Sequence, residues 1–137
     1  MVSEPIMAIT NNQNTVATNQ TTFSFITPIK LDRSNYMLWK NQVLASIRGN
    51  RLEGYINGEK IAPIQFIASS VASSSQQIEN PEYTIWRSQD QTLLSWLLSS
   101  ITEGILSLVH SCTTSFDIWK TLEKRFGVQS EARVLQL

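Results

Sequence analysis

The stretch Asn80-Pro81-Glu82-Tyr83-Thr84-Ile85-Trp86-Arg87-Ser88-Gln89-Asp90-Gln91-Thr92-Leu93-Leu94-Ser95-Trp96-Leu97-Leu98-Ser99-Ser100 decides the fold class. It opens with an Asn suited to capping, a Pro whose missing N–H is harmless at the first helical position, and an acid that favours the positive end of the helix dipole. Trp86, Leu93, Leu94, Leu97 and, just beyond, Ile101 then recur on one face, with Asp90 as a polar break in it. Trp96 and Leu98 widen the apolar surface beyond a single stripe, so the spacing predicts a central helix over 81–100. An acid set in an apolar face reads as a hydrogen-bond acceptor for a helix end, or as half of an ion pair, before it reads as a general acid.

Toward the C-terminus the same period continues. A helix is expected over 103–111, burying Ile105, Leu106 and Val109. Thr113-Thr114-Ser115 then caps a helix over 115–126, with Asp117 in its first turn, Lys124 and Arg125 in its last, and Gly127 as its stop. Its inner stripe reads Phe116, Trp119, Leu122 and Phe126. Ser130 to Leu137 opens one more helix, in which Val134, Leu135 and Leu137 begin an apolar stripe without continuation; an incomplete C-terminal helix is therefore expected.

Toward the N-terminus, residues 59–79 lose the period, and the uncharged Ser69-Ser70-Val71-Ala72-Ser73-Ser74-Ser75-Gln76-Gln77 reads as a surface loop. A helix near 35–48 precedes it, capped by Ser34 or Asn35, stopped at Gly49-Asn50 and striped by Tyr36, Trp39, Val43 and Ile47. Leu52, Tyr55 and Ile56 follow in one short turn. Phe23, Phe25 and Ile26 run into Pro28 as an extended segment laid on the core. Residues 1–22 hold one charge, Glu4, among Asn, Thr and Gln, and are expected to form a disordered polar tail. The fold class expected is all-α: a helical bundle over 23–137. Trp39, Trp86 and Trp119, on three separate stripes, are expected to meet in one buried cluster joining three helices.

Composition narrows the function. With 137 residues, 42% of them hydrophobic, the chain is long enough for one cored domain. Eleven Lys and Arg balance eleven Asp and Glu, which argues against a strongly basic nucleic-acid-binding domain. One Cys and one His, Cys112 and His110, make neither an internal disulfide nor a four-ligand zinc site. They sit two residues apart at a helix end, where a structural thiol and a helix-terminal imidazole are the plainer reading. No phosphate loop, paired metal-binding His or nucleophile elbow is present, so neither enzyme, cofactor nor small-molecule substrate is expected. No apolar run is long enough to span a membrane and no signal-peptide pattern opens the chain, so a cytoplasmic setting is expected. The basic residues Lys30, Arg33, Lys40, Arg48 and Arg51 cluster around the first helix with only Asp32 among them. They read either as a solvated helix face or as weak contacts to nucleic-acid phosphates.

Two blocks carry a family resemblance. Leu31-Asp-Arg-Ser-Asn35-Tyr36-Met-Leu-Trp39-Lys40, followed by Gly54-Tyr55-Ile56, resembles the opening of plant copia-type retrotransposon Gag proteins. Pro81 to Trp86, Asp90-Gln91, Leu93 to Ser100 and Trp119 to Phe126 resemble the next part of that region, as does Gln129 to Leu137. The resemblance covers about residues 24–137, with Glu131 standing where Lys is the commoner residue. It implies a capsid-like helical Gag domain, truncated at its C-terminal end, whose full-length relatives assemble into particles around the element's RNA. In such relatives further capsid helices follow, often a zinc knuckle, then protease, integrase and reverse transcriptase. The expected role is thus a structural Gag-like protein, a truncated or remnant copy, with other Gag-like chains and, weakly, RNA as partners, and no membrane. The alternative is a small monomeric RNA-binding or protein-interaction module derived from Gag.

Overall fold

Asn80 accepts the Glu82 amide through Oδ1 at 3.1 Å and Pro81 takes the first helical position, so the longest helix starts where its capping residues put it. The computed structural model describes residues 22–26, 28–69 and 76–128. The expected polar tail, apart from Thr22, and the expected helix beyond Ser130 lie outside these residues. The described elements are α1 (Tyr36–Gly49), α2 (Gly54–Asn57), β1 (Phe66–Ala68), β2 (Gln77–Glu79), α3 (Pro81–Ser99), α4 (Glu103–Val109) and α5 (Ser115–Leu122). From α5 the chain continues into a π-helical turn, Glu123–Gly127. The mostly helical architecture agrees with the sequence reading. The segment read wholly as a loop holds, in addition, the antiparallel hairpin β1–β2, with Ile67 opposite Ile78.

The core gathers Trp39, Val43 and Ile47 from α1, Leu93 and Leu97 from α3, Ile105 and Val109 from α4, and Ile118, Trp119 and Leu122 from α5. Leu31 is fully buried although it precedes every helix. Its N–H donates to the Ser100 carbonyl at 2.8 Å, and its own carbonyl accepts from the Thr102 amide at 3.0 Å. This short parallel bridge pins the N-terminal extended segment between α3 and α4. The Trp39 indole N–H donates to the Ser100 carbonyl at 3.0 Å, with Ser100 Oγ at 3.1 Å, so its polar edge is satisfied where the ring is buried. Phe25 stacks on Trp96 at 4.6 Å, and the Trp96 indole donates to the Ile26 carbonyl at 3.1 Å. The extended segment thereby covers Trp96.

Three expectations need correction. Phe116 is 40% exposed, and Ile118 takes the buried place instead. At about 100° per residue, Ser115, Trp119, Leu122 and Phe126 centre the inner face roughly 90° away from Phe116. Trp86 does not join Trp39 and Trp119, whose rings lie 5.8 Å apart. It sits on Tyr55 and Tyr83, at 6.0 Å from each, and donates to the Lys60 carbonyl at 3.1 Å. Seven residues before Leu93, it stands about 10 Å up the helix, at the margin of the core. Finally, the central element is α5, which packs on α2, α3 and α4, whereas the first half of α3 faces largely outward.

Asp90 shows how α5 is held. It is 2% exposed, and its Oδ1 accepts the Ser115 amide at 3.0 Å at the start of α5. Ser115 Oγ returns a bond to the Asp90 carbonyl at 2.9 Å, and Gln91 Nε2 donates to Asp90 Oδ2 at 3.0 Å. The odd acid of the apolar face therefore serves a helix end. Thr114 Oγ1 adds a second cap by accepting the Asp117 amide at 3.1 Å.

Candidate functional site

The π-helical turn places its residues against the start of α1. Tyr36 stacks on Phe126 at 6.1 Å, and Gly127 lies under the Tyr36 ring edge. Beside this contact opens a groove of about 480 Å³ lined by Tyr36, Met37, Lys40, Lys120, Glu123 and Lys124, together with Gly127 and Val128. Three lysines and a single glutamate therefore line one concavity. Lys40 Nζ stands 5.8 Å from the Tyr36 ring centroid, and Lys120 Nζ approaches Glu123 Oε2 at 3.9 Å. Burial, helped by the Glu123 carboxylate, pushes the Tyr36 phenol up to about 12, so its hydroxyl stays protonated near neutral pH. A smaller cavity of about 140 Å³ brings Arg33 together with Arg125, Leu108 and Phe126.

These two concavities take in two of the five basic residues singled out from sequence. Lys40 lies in the lysine groove and Arg33 in the arginine cavity. Arg48 is engaged by Glu53 at 3.0 Å. Lys30 and Arg51 are exposed and line neither cavity; Arg51 ends the turn after α1 at φ 60°. Lys120, Lys124 and Arg125 were read from sequence only as helix-dipole partners or not at all. A signal was present in the spacing of Lys120 and Lys124, four residues apart, a like-charge pairing that costs an isolated helix a few tenths of a kcal/mol.

His110 Nδ1 lies 2.8 Å from the Ser107 carbonyl, and Cys112 Sγ lies 3.5 Å from Thr121 Oγ1. Both contacts are local and structural. No cluster of His, Cys, Asp and Glu among the described residues has the geometry to hold a metal ion. No helix among them is long and apolar enough to cross a membrane.

The comparisons with known proteins point one way. Residues 43–137 match the family described as gag-polypeptide of LTR copia-type, and residues 19–64 match another described as Gag-polypeptide of LTR copia-type. Over 108 residues the chain is 33% identical to the "Retrovirus-related Pol polyprotein from transposon RE2" of Arabidopsis thaliana. It is 34% identical, over the same length, to the corresponding polyprotein from transposon RE1 of that plant. These alignments take in 79% of this chain and 7% of each relative, so the chain spans a small fraction of the length of the polyproteins it matches. No solved structure matches it. With a helical bundle assembled from the blocks that carried the resemblance, and with the family match running from α1 to residue 137, this chain belongs to the copia-type LTR retrotransposon Gag family.

Proposed function

We propose that the chain is a structural, non-catalytic Gag protein that associates with copies of itself and holds RNA weakly through phosphate contacts. The observation that carries the RNA half is the meeting of Lys40, from α1, with Lys120 of α5 and Lys124 of the π-helical turn in one groove. Ammonium groups recognise phosphate as point charges and read no bases, so the contact is independent of RNA sequence. The reducing cytoplasm is the proposed setting, in keeping with the free thiol of Cys112.

The salt dependence of binding tests this. Three lysines that each neutralise one phosphate of a single strand give a slope of about −2 in log K against log salt. Between 50 and 200 mM salt the affinity should therefore fall by roughly 20-fold. Fluorescence anisotropy with single-stranded RNAs of unrelated sequence should show equal affinities, and Lys40→Glu with Lys124→Glu should abolish binding. Tight binding to one sequence, or binding untouched by the double charge reversal, refutes the phosphate-contact reading.

A further inference from the structure

The hairpin β1–β2 stands off the bundle, with all six strand residues exposed. Its base is tied to the start of α3 by Asn80, whose amide donates to the Gln65 carbonyl at 2.7 Å and whose Nδ2 donates to the Ile64 carbonyl at 2.9 Å. Neither strand has a broad contact with a helix. Ile67 and Ile78 face each other across the ladder at 37% and 44% exposure, and Ile61 and Ile64 lead into it at 81% and 76%. A two-stranded hairpin alone is marginal in water and gains stability from a third strand or a covering surface.

The ladder fixes which backbone groups are free. Asn80 pairs with Gln65 and Ser69 with Gln76, so by antiparallel alternation Ile67 and Ile78 also pair inward. The N–H and C=O groups of Phe66 and Ala68 consequently face away from β2. No backbone hydrogen bond to these groups occurs among the described residues. Edge strands ordinarily carry a charge or a Pro that blocks pairing with another chain. The sequence from Ile61 to Ile78 holds no Asp, Glu, Lys or Arg, and its Pro63 precedes β1. By contrast β2 ends at Glu79, whose carboxylate accepts Thr84 Oγ1 at 2.8 Å.

We propose that β1 is a homotypic docking edge: two copies of the chain pair Phe66–Ala68 antiparallel about a two-fold axis at Ile67, forming a four-stranded sheet. The occupant is a second copy because the edge is its own complement. Phe66 of each strand exchanges backbone bonds with Ala68 of the other, and the uncharged flanks meet without like-charge opposition. Ile67 then faces its own counterpart as the close, non-hydrogen-bonded pair, with Cα atoms about 4.5 Å apart. This rests on the self-association proposed above and assigns it a surface.

The test uses the whole chain in sedimentation across a concentration series, with Ala68→Pro and Gln77→Pro. Proline at 68 removes an outward N–H and spares the inward ladder; proline at 77 does the same on the edge of β2. The wild type should dimerise, Ala68→Pro should raise the dimer dissociation constant by at least about tenfold through two lost backbone bonds, and Gln77→Pro should behave as wild type. In a Cys112→Ser background, Ile67→Cys should form a self-disulfide on air oxidation, since about 4.5 Å lies within disulfide reach. That crosslink needs no intact proline variant. Association unchanged by Ala68→Pro, or no crosslinked dimer, overturns the docking edge and leaves the assembly reading standing. A wild type that stays monomeric throughout overturns both, and is also the result expected if β1 docks on a different protein.

Discussion

Replacing Asp90 with Ala strips the start of α5 of its buried acceptor. Ser115 is fully buried, and its amide donates to Asp90 Oδ1 at 3.0 Å. After truncation the buried Ser115 N–H has lost its acceptor, and an unsatisfied buried donor costs about 1–3 kcal/mol. The carboxylate acceptor puts this bond toward the upper part of that range. About 2.5 kcal/mol corresponds to a fall of roughly 8–12 °C in Tm for a domain of this size. Asp90→Asn keeps an oxygen for the Ser115 amide and should cost less than about 1 kcal/mol. Ser115→Ala loses only the bond from its Oγ to the Asp90 carbonyl, a loss of about 1 kcal/mol. Urea titrations followed by circular dichroism measure all four proteins. Asp90→Ala within about 0.5 kcal/mol of wild type would refute the claim that this carboxylate holds α5.

Trp119→Ala should cost about 3–5 kcal/mol in the same titrations, and Trp86→Ala, which removes a half-buried ring beside Tyr55 and Tyr83, clearly less; equal losses would refute the separation of the two aromatic groups. Gly58→Ala should destabilise by about 1 kcal/mol or more, since φ is 81° there and an added Cβ would meet the Phe116 ring at 3.3 Å. Alkaline pH should unfold the chain through its tyrosines. Burial raises Tyr36 and Tyr55 to about 12, with Glu123 and Asp90 adding to the respective shifts, from an ordinary value near 10. The folded state then binds more protons than the unfolded one between these values, so stability is full below pH 10 and lost as pH rises toward 12. Replacing both by Phe should flatten that decline in thermal melts.

Helices with strong end signals were open to reading from sequence. Asn80-Pro81 and Thr114 start α3 and α5 where the cap chemistry places them, and the α1 stripe of Tyr36, Trp39, Val43 and Ile47 is the buried one. Leu31 was not legible, because its burial comes from a single backbone bridge to residues 100–102, and such a bridge leaves no periodic trace. Phe116 was misread because a large aromatic at the margin of a stripe looks like a member of it; Ile118 fits the narrower face. The hairpin was hidden by brevity, with three residues per strand and Ala, Gln and Glu among them. The basic groove was half visible. Lys40 lay in the cluster around α1, but Lys120 and Lys124 come from some eighty residues away and are brought to it by the Trp39–Trp119 and Tyr36–Phe126 contacts.

The anchoring of Trp39 on Ser100 has a consequence in time. The two residues are 61 positions apart, and Leu31 must wait longer still, up to 71 positions, for its bridge to residues 100–102. At ribosomal speeds of about 5–20 residues per second, roughly 3–12 s separate the synthesis of Trp39 from that of its partner. Early in that interval, of the core residues that follow α1, only Leu52, Tyr55 and Ile56 exist, whereas α3, α4 and α5 follow one another within a few dozen residues. The apolar stripe of α1 therefore reaches its full burial only once Ser100 and the helices around it have been made.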